Sequence, residues 1–329
     1  MNAIENKRNA NLDLIKIVAC ICVVGLHAVG MGNYTLYYLC DCGVPLFFLV
    51  NGYLLFSKDK IDYPYILRKI FKIVKVVFFW NLIITVPVLI FRRKVVNPFK
   101  LSFDSLLQKG YLWHFWFFGA LILIYLVLPI LHHFFFQNKL YHRLGCLLLM
   151  CMCIYISASS MIKGYPLHKF VPQSLRLWTW LFFFLTGGLL AVSSYYVYRI
   201  SLLTHSIFLL IITIINNTAV KKIGYYLIHD RLAEFFYDDL TSIIWYILFF
   251  TFLLRIPIKE NLKPFINSLS QQTMGIFIIH PILLTVLHTI YIPARTSSSI
   301  LFWFGIVLLS LIISFVLSKV PIINTLVKL

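Results

Sequence analysis

An apolar segment near the start of the chain carries three ionisable residues whose spacing could do chemistry. The segment Asn11–Met31 is long enough to cross a bilayer, and it contains Asp13, Lys16 and His27. In a helix, the eleven-residue step from Lys16 to His27 turns about 20° past three full turns and rises about 16 Å, so the two side chains share one face. Asp13 lies within about 40° of that face. Ionisable groups at such depth are costly, which favours a functional site.

The chemistry that suits these residue types is activation of a hydroxyl by a general base. An imidazole is the usual base, and the sequence contains no glycine-rich phosphate loop, no His-Glu-x-x-His metal pair and no Gly-x-Ser-x-Gly nucleophile elbow. No metal site is predicted. A structural interpretation competes with this one: His27 is hydrogen-bonded inside a helix bundle while Lys16 reaches the lipid headgroups.

The composition determines the class of protein that must hold these residues. The 329 residues are 61% hydrophobic and only 12% charged, and the mean hydropathy is +0.89. Such a chain is too apolar for a soluble globular domain, so we predict an all-α bundle of transmembrane helices. The formal net charge of +18 is carried mostly by short loops between apolar runs. Anionic membrane lipids and a phosphorylated substrate are therefore better partners than nucleic acid.

Apolar runs separated by charged residues, proline and glycine predict about ten spans within a single domain, residues 1–329. The second run is interrupted by Asp41 and by Gly43-Val44-Pro45. A small excess of Lys and Arg in alternate loops places the N-terminus on the cytoplasmic side. The runs are 14–31, 36–56, 70–91, 111–131, 144–161, 176–197, 200–218, 241–257, 274–292 and 299–318.

The loop 58–75 is the densest basic feature of the chain. Arg68, Lys69, Lys72 and Lys75 open the third span, and spacings of three and four place Arg68, Lys72 and Lys75 on one helical stripe. Such a stripe could hold a polyphosphate, or it could anchor the helix at anionic lipid headgroups. The mixed-charge loop 219–240 is interpreted as exposed and solvated.

Four further polar or aromatic residues lie in apolar surroundings. His114 and Trp116 open the fourth span within an aromatic run typical of the membrane boundary, where His114 either orients a substrate or is satisfied at the interface. Asn51 precedes Gly52, whose expected role is close helix packing. His280 precedes Pro281, and its ring could satisfy a carbonyl that the proline leaves free.

Five ordered motifs resemble the acyltransferase-3 family of integral membrane O-acyltransferases. The first is a basic residue followed, after ten residues, by histidine, which Lys16 and His27 reproduce. The others are GVPLFFLVNGYLL at 43–55, the basic start of the third span, the aromatic span 113–131 with its Tyr-x3-Pro ending, and MGIFIIHPILL at 274–284. The family more often has Ser-Gly at Asn51-Gly52 and Arg in place of one basic-cluster lysine, which lacks the fork geometry of Arg.

The resemblance implies transfer of an acyl group, most often acetyl, from cytoplasmic acyl-CoA to a hydroxyl of a surface polysaccharide or lipid-linked oligosaccharide. It implies a bacterial cytoplasmic membrane and acetyl-CoA as co-substrate with no bound cofactor. Some relatives append a soluble esterase-like domain, and this chain is expected to be the transmembrane module with no appended soluble esterase-like domain. On this hypothesis His27 is the base or an acyl relay, supported by Lys16 and Asp13. The donor would be bound by Arg68, Lys69 and Lys72, and the acceptor or its passage would be lined by His114, Trp116, Asn51 and His280. A transporter of a glycan or lipid-linked intermediate is the competing class.

Overall fold

The computed structural model describes residues 8–30, 33–193, 200–289 and 296–327. These residues form helices joined by short connections, and no β-strand occurs among them. The helices are α1 Ala10–Ala28, α2 Tyr34–Cys40, α3 Gly43–Phe56, α4 Tyr63–Arg92, α5 Pro98–Leu106, α6 Trp116–Gln137, α7 Lys139–Lys163, α8 Leu177–Val192, α9 Leu202–Lys222, α10 Leu240–Leu253, α11 Lys263–Ser270, α12 Thr273–Leu287, α13 Thr296–Leu317 and α14 Pro321–Val327.

A helix lies at each of the ten apolar runs, which confirms a polytopic helical membrane protein. Seven helical segments of the described chain are long and apolar enough to cross a membrane, and α2 with α3 counts as one of them. The segment Glu260–Ser270 and α12, bent by 48°, form an eighth if they act together. The helices α8 and α10 are apolar but have only 16 and 14 residues. The number of ten spans stays a prediction.

Some sequence-based predictions fall outside the described residues. They include the ends of three predicted spans, at Met31, 194–197 and 290–292. Four basic residues that contributed to the predicted orientation also lie there: Lys7, Arg199, Arg295 and Lys328.

Local sequence signals explain where several helices begin and end. The side chain of Asn9 accepts hydrogen bonds from the first turn of α1, and Asp62 does the same for α4. At the other end of α4, Arg93 adopts a left-handed conformation with φ of 49°, and Gly164 ends α7 in the same way with φ of 75°. Polar caps thus position helices whose apolar faces give little local information about their ends.

The helices α3 and α8 form the centre of the bundle, and glycines allow their backbones to touch. A Cβ atom built on Gly52 would lie 1.8 Å from the carbonyl oxygen of Phe184. A Cβ on Gly187 would lie 2.1 Å from the carbonyl oxygen of Leu49. This confirms the predicted packing role of Gly52 and fixes α3 close to the centre of the molecule.

The interpretation of 219–240 as an exposed, solvated loop is wrong. The helix α9 continues to Lys222, a π-helical turn follows at Ile223–Leu227, and Phe235 and Phe236 are buried. The charged residues that suggested a loop alternate with aromatic residues that pack against Tyr37 and other residues of α2. The segment is therefore part of the packed structure at the end of the bundle where α1 terminates.

Candidate functional site

The continuous helix α1 places its ionisable residues at two separate levels of the bundle. Asp13 and Lys16 lie in its first turns, and His27 lies in its last turn. The helix is unbroken from Ala10 to Ala28, as the spacing argument requires. The neighbours of each residue indicate which interactions or chemistry are available at each level.

Asp13 anchors the basic groups at the first level. Its side chain is 2% exposed and accepts hydrogen bonds from Arg8 (Nε, 2.5 Å), Lys16 (Nζ, 3.2 Å) and Ser270 (Oγ, 2.7 Å). Arg8 Nη2 also donates to Ser270 Oγ at 3.2 Å. A buried carboxylate stabilises the cations that surround it. Asp13 thus ties the start of α1 to the end of α11.

A cavity of about 720 Å³ opens beside these residues. Five cationic side chains line it, and no acidic residue of the described chain is among the lining residues. Asp13 is not a lining residue, but its carboxylate forms ion pairs with two of these cations, Arg8 and Lys16. The cations are Arg8, Lys16, Arg68, Lys69 and Lys72. This unbalanced positive charge can attract a phosphorylated or otherwise polyanionic ligand.

The remaining lining of the cavity is mainly apolar, and its polar members include one hydrogen-bonded pair. Tyr125 donates its hydroxyl to Asn51 Oδ1 at 3.1 Å, and Asn51 Nδ2 donates to the carbonyl of Phe47 in its own helix. Phe117, Phe118 and Phe277 contribute aromatic rings to the lining. A ligand with an anionic head and a less polar tail matches this lining.

Three histidines meet on the far side of Phe277. The ring of His27 stacks on that of His280 with centroids 5.6 Å apart, and the centroid of His114 is 6.0 Å from that of His280. Phe277 contacts the rings of His114 (5.4 Å) and His280 (6.1 Å), while Trp113 packs edge-on against His27 at 5.3 Å. Phe277 therefore touches both the cavity and the histidine cluster, which consists of His27, His114 and His280.

The hydrogen bonds of the histidine cluster are incomplete. Both ring nitrogens of His114, which is 2% exposed, lack a partner in the described structure. His280 Nδ1 lies 3.0 Å from the carbonyl oxygen of Ile276 and can only donate to it, and Nε2 has no partner among the described residues. Buried polar groups rarely lack partners, so an unpartnered buried imidazole is a candidate for binding a ligand or an ordered water. No described residue is a hydrogen-bond partner of the His114 ring, so the substrate-orienting and the interfacial interpretations both stay predictions.

Eight of the ten predicted site residues divide into two groups, and Asp13 and Trp116 belong to neither. Asp13 does not line the cavity but pairs with two of its cations, Arg8 and Lys16. Lys16, Arg68, Lys69, Lys72 and Asn51 line the cavity. His27, His114 and His280 form the histidine cluster. Trp116 lies elsewhere, because its ring packs at 5.2 Å from Trp180 of α8, and it is not among the described residues that line the cavity.

Sequence reasoning missed three residues of the site. Arg8 precedes α1 and reaches the cavity only because Asp13 accepts its guanidinium. Nothing in the sequence distinguishes Phe277 from the other apolar residues of its span. Tyr125 carried a signal, since it is the tyrosine of the Tyr-x3-Pro motif. No group of three or more His, Cys, Asp or Glu side chains in the described ranges is arranged to hold a metal ion.

The fold and the cavity define a polytopic helical membrane protein with a cation-lined cavity beside buried imidazoles. The chain belongs to the acyltransferase-3 family, because the family model described as an acyltransferase domain matches residues 9–319. It is therefore a membrane acyltransferase. No curated protein and no solved structure matches the chain.

Proposed function

We propose that this acyltransferase moves an acyl group, most often acetyl, from acyl-CoA to a hydroxyl of a surface polysaccharide or a lipid-linked oligosaccharide. The observation that supports the proposal is the cavity whose five cations stand at one end and whose apolar end reaches Phe277 and, behind it, the histidine cluster. Acyl-CoA has the matching form, with phosphates at one end and a thioester at the end of a long neutral arm.

The donor would bind with its phosphates at the basic end. The guanidinium of Arg68 can make paired hydrogen bonds to phosphate oxygens, while Lys69 and Lys72 act as point charges. These residues begin α4, and Lys16 lies in the first turns of α1, so all four lie at the end of the bundle where α1 starts. On the predicted orientation this is the cytoplasmic end, where acyl-CoA is made.

The transfer step would take place at the histidine cluster. The imidazole of His27 takes the proton of the acceptor hydroxyl, and the oxygen attacks the thioester carbonyl to form the new ester bond. The carbon–sulfur bond breaks, and the CoA thiolate receives the proton from the imidazolium. His280, held by the Ile276 carbonyl, stacks on His27 and keeps its ring orientation, while His114 supplies a ring nitrogen for substrate hydrogen bonding.

Labelled acetyl-CoA added to isolated membranes that contain the protein tests the proposal. The expected result is label in the glycan fraction that is released by mild alkali, which cleaves esters. A transporter would label nothing, and so would a protein that uses another donor. Mass spectrometry of surface polysaccharide from cells with and without the gene would then identify the acylated sugar.

A further inference from the structure

A second cleft, of about 580 Å³, lies at the opposite end of the bundle from the basic cavity. It is formed by the start of α2 and by the end of α9 with the π-helical turn that follows. It belongs to neither the cavity nor the histidine cluster. The cleft is lined by Asn33, Tyr34, Thr35, Tyr38, Lys221, Lys222, Tyr225, Tyr226 and Arg231.

The exposed guanidinium of Arg231 contacts two tyrosine rings of this tyrosine-lined cleft. Its guanidinium carbon lies 4.6 Å from the ring centroid of Tyr225 and 5.4 Å from that of Tyr34. Tyr38 donates its hydroxyl to the backbone carbonyl of Arg231 at 3.0 Å. Lys221 Nζ, at the end of α9, donates to Thr35 Oγ1, at the start of α2, at 2.6 Å. The polar groups are thus positioned before any ligand binds, which lowers the entropic cost of binding.

The charge of the tyrosine-lined cleft selects an anionic ligand. Three cations line it, namely Lys221, Lys222 and Arg231, and no acidic residue of the described chain is among its lining residues. The nearest acidic neighbour in sequence, Asp230, is paired with Lys169 at 3.0 Å. Carboxylates and phosphates are the groups that such an arrangement binds.

The chemical nature of the walls distinguishes a sugar from a lipid. No aliphatic side chain lines the tyrosine-lined cleft, whereas another groove, between α9 and α10, is lined mainly by isoleucine, leucine and phenylalanine. The apolar surface beside the cations is supplied by tyrosine rings and not by the aliphatic side chains that pack against acyl tails. Tyrosine offers a flat apolar ring with a hydroxyl at its edge, which suits a sugar with its C–H face and its hydroxyl rim. The lining therefore favours a carbohydrate over a phospholipid.

The cleft lies at the same end of the bundle as the histidine cluster. Leu26, next to His27, packs against the core formed by Tyr37, Tyr38 and Phe236, and Tyr34 is part of the same packing. We propose that the tyrosine-lined cleft binds an anionic glycan, a chain whose sugars carry carboxylates or phosphates. This rests on the proposed function, in which that glycan is the acceptor presented to His27.

Direct binding to the full-length protein tests the inference without any acyl transfer. The protein is placed in phosphatidylcholine nanodiscs, and the probes are hexagalacturonate and the neutral hexasaccharide maltohexaose. Hexagalacturonate should bind more tightly, and added salt should weaken its binding. Arg231→Gln and Lys222→Gln should each lower its affinity roughly tenfold, the loss expected for one charge-assisted hydrogen bond. Lys100→Gln, an exposed lysine of α5 at the same end, should leave affinity unchanged.

A tyrosine pair tests the stacking. Tyr225→Leu should weaken binding of both hexasaccharides, and Tyr225→Phe should restore it, because the ring is retained. Lys222 is exposed at the end of α9, so its variant tests charge even if the Arg231 variant folds poorly.

Two results would overturn the inference. One is that hexagalacturonate does not bind, or that it binds equally well to Lys222→Gln, to Tyr225→Leu and to the unmodified protein. The other is displacement of hexagalacturonate by phosphatidylglycerol added to the discs, which would assign the cleft to lipid headgroups. Acyl transfer that persists without hexagalacturonate binding would refute the cleft assignment alone. Cleft-dependent binding without transfer would refute the acyl-transfer proposal alone.

Discussion

The imidazole of His27 on α1 stacks on that of His280 on α12, with ring centroids 5.6 Å apart and ring planes 19° apart. His280 Nδ1 is held by the carbonyl of Ile276, so the stacked ring that supports His27 is fixed by its own helix. His27 itself lies at the end of α1, next to Trp113. The pair joins two motifs that stand near opposite ends of the sequence.

Removal of the His27 imidazole should abolish most of the acyl transfer. We expect His27→Ala to lower the rate by about 10²- to 10⁴-fold, the usual contribution of a general base, at unchanged membrane abundance. His133→Ala, which removes an exposed histidine of α6, is the control. The measurement is label transfer from acetyl-CoA in isolated membranes. Full activity of His27→Ala at normal abundance would exclude His27 from the mechanism.

Charge reversal in the basic cavity should weaken donor binding. The double variant Arg68→Glu with Lys72→Glu should raise the KM for acyl-CoA at least tenfold, because each lost charge-assisted contact is worth about 1.5–3 kcal/mol. Lys75→Glu is a control on the same helix. The spacing predicts Lys75 on the stripe with Arg68 and Lys72, but Lys75 is exposed and is not among the described residues that line the cavity. Equal KM values in the two variants would leave Arg68 and Lys72 as membrane anchors.

Phe277 should limit the size of the acyl group that reaches the histidine cluster. Its ring touches His114 and also lines the cavity, so Phe277→Ala should enlarge the space between them. The rate with butyryl-CoA relative to acetyl-CoA is expected to rise. Phe134→Ala, at a phenylalanine that is 58% exposed, should not change this ratio. An unchanged ratio in Phe277→Ala would show that the acyl group does not pass this ring.

A methyl group at Gly52 should force α3 and α8 apart. The new Cβ would lie 1.8 Å from the Phe184 carbonyl oxygen, and such overpacking typically costs about 1–3 kcal/mol. Gly52→Ala should therefore lower the Tm of the purified protein in detergent. Gly305→Ala should change it little, since no heavy atom lies within 4 Å of a Cβ there. Equal Tm values for the two variants would contradict the close helix contact.

Asp239, at the start of α10, should make stability depend on pH. Burial raises the pKa of this carboxyl to about 7, and the neighbouring Asp238 carboxyl adds to the effect. Between about pH 4 and pH 7 the folded protein holds a proton that the unfolded chain releases, so the free energy of unfolding falls as the pH rises, by up to about 1.4 kcal/mol per unit. Below this window both states are protonated, and above it both are ionised.

Substitution of Asp239 should therefore flatten the pH profile. Asp239→Asn keeps an oxygen that can accept the Ser157 hydroxyl hydrogen bond and removes the titrating group. Thermal unfolding measured across the window should show a smaller fall of Tm in Asp239→Asn than in the unmodified protein. Asp59→Asn, at an exposed aspartate, should retain the full slope. Identical slopes for Asp239→Asn and the unmodified protein would contradict the raised pKa.

The sequence by itself determined the class of fold, the helix α1 and the composition of the basic cluster. These features are local: length and apolarity of a run predict a membrane helix, and the helical period places Lys16 and His27 on one face. The position of Gly52 in an apolar run was enough to predict close packing. The order of motifs also gave the family, which the match to residues 9–319 confirms.

The tertiary structure alone decided which residues meet. His27, His114 and His280 converge from three separate segments, and Arg8 joins the basic cavity through Asp13. The aromatic residues of 219–240 pack inward and form one wall of the tyrosine-lined cleft. The physical reason is that contacts between helices depend on how each one is rotated and how closely it packs. Those quantities are fixed by the complementary surfaces of distant segments and not by the period of any single segment.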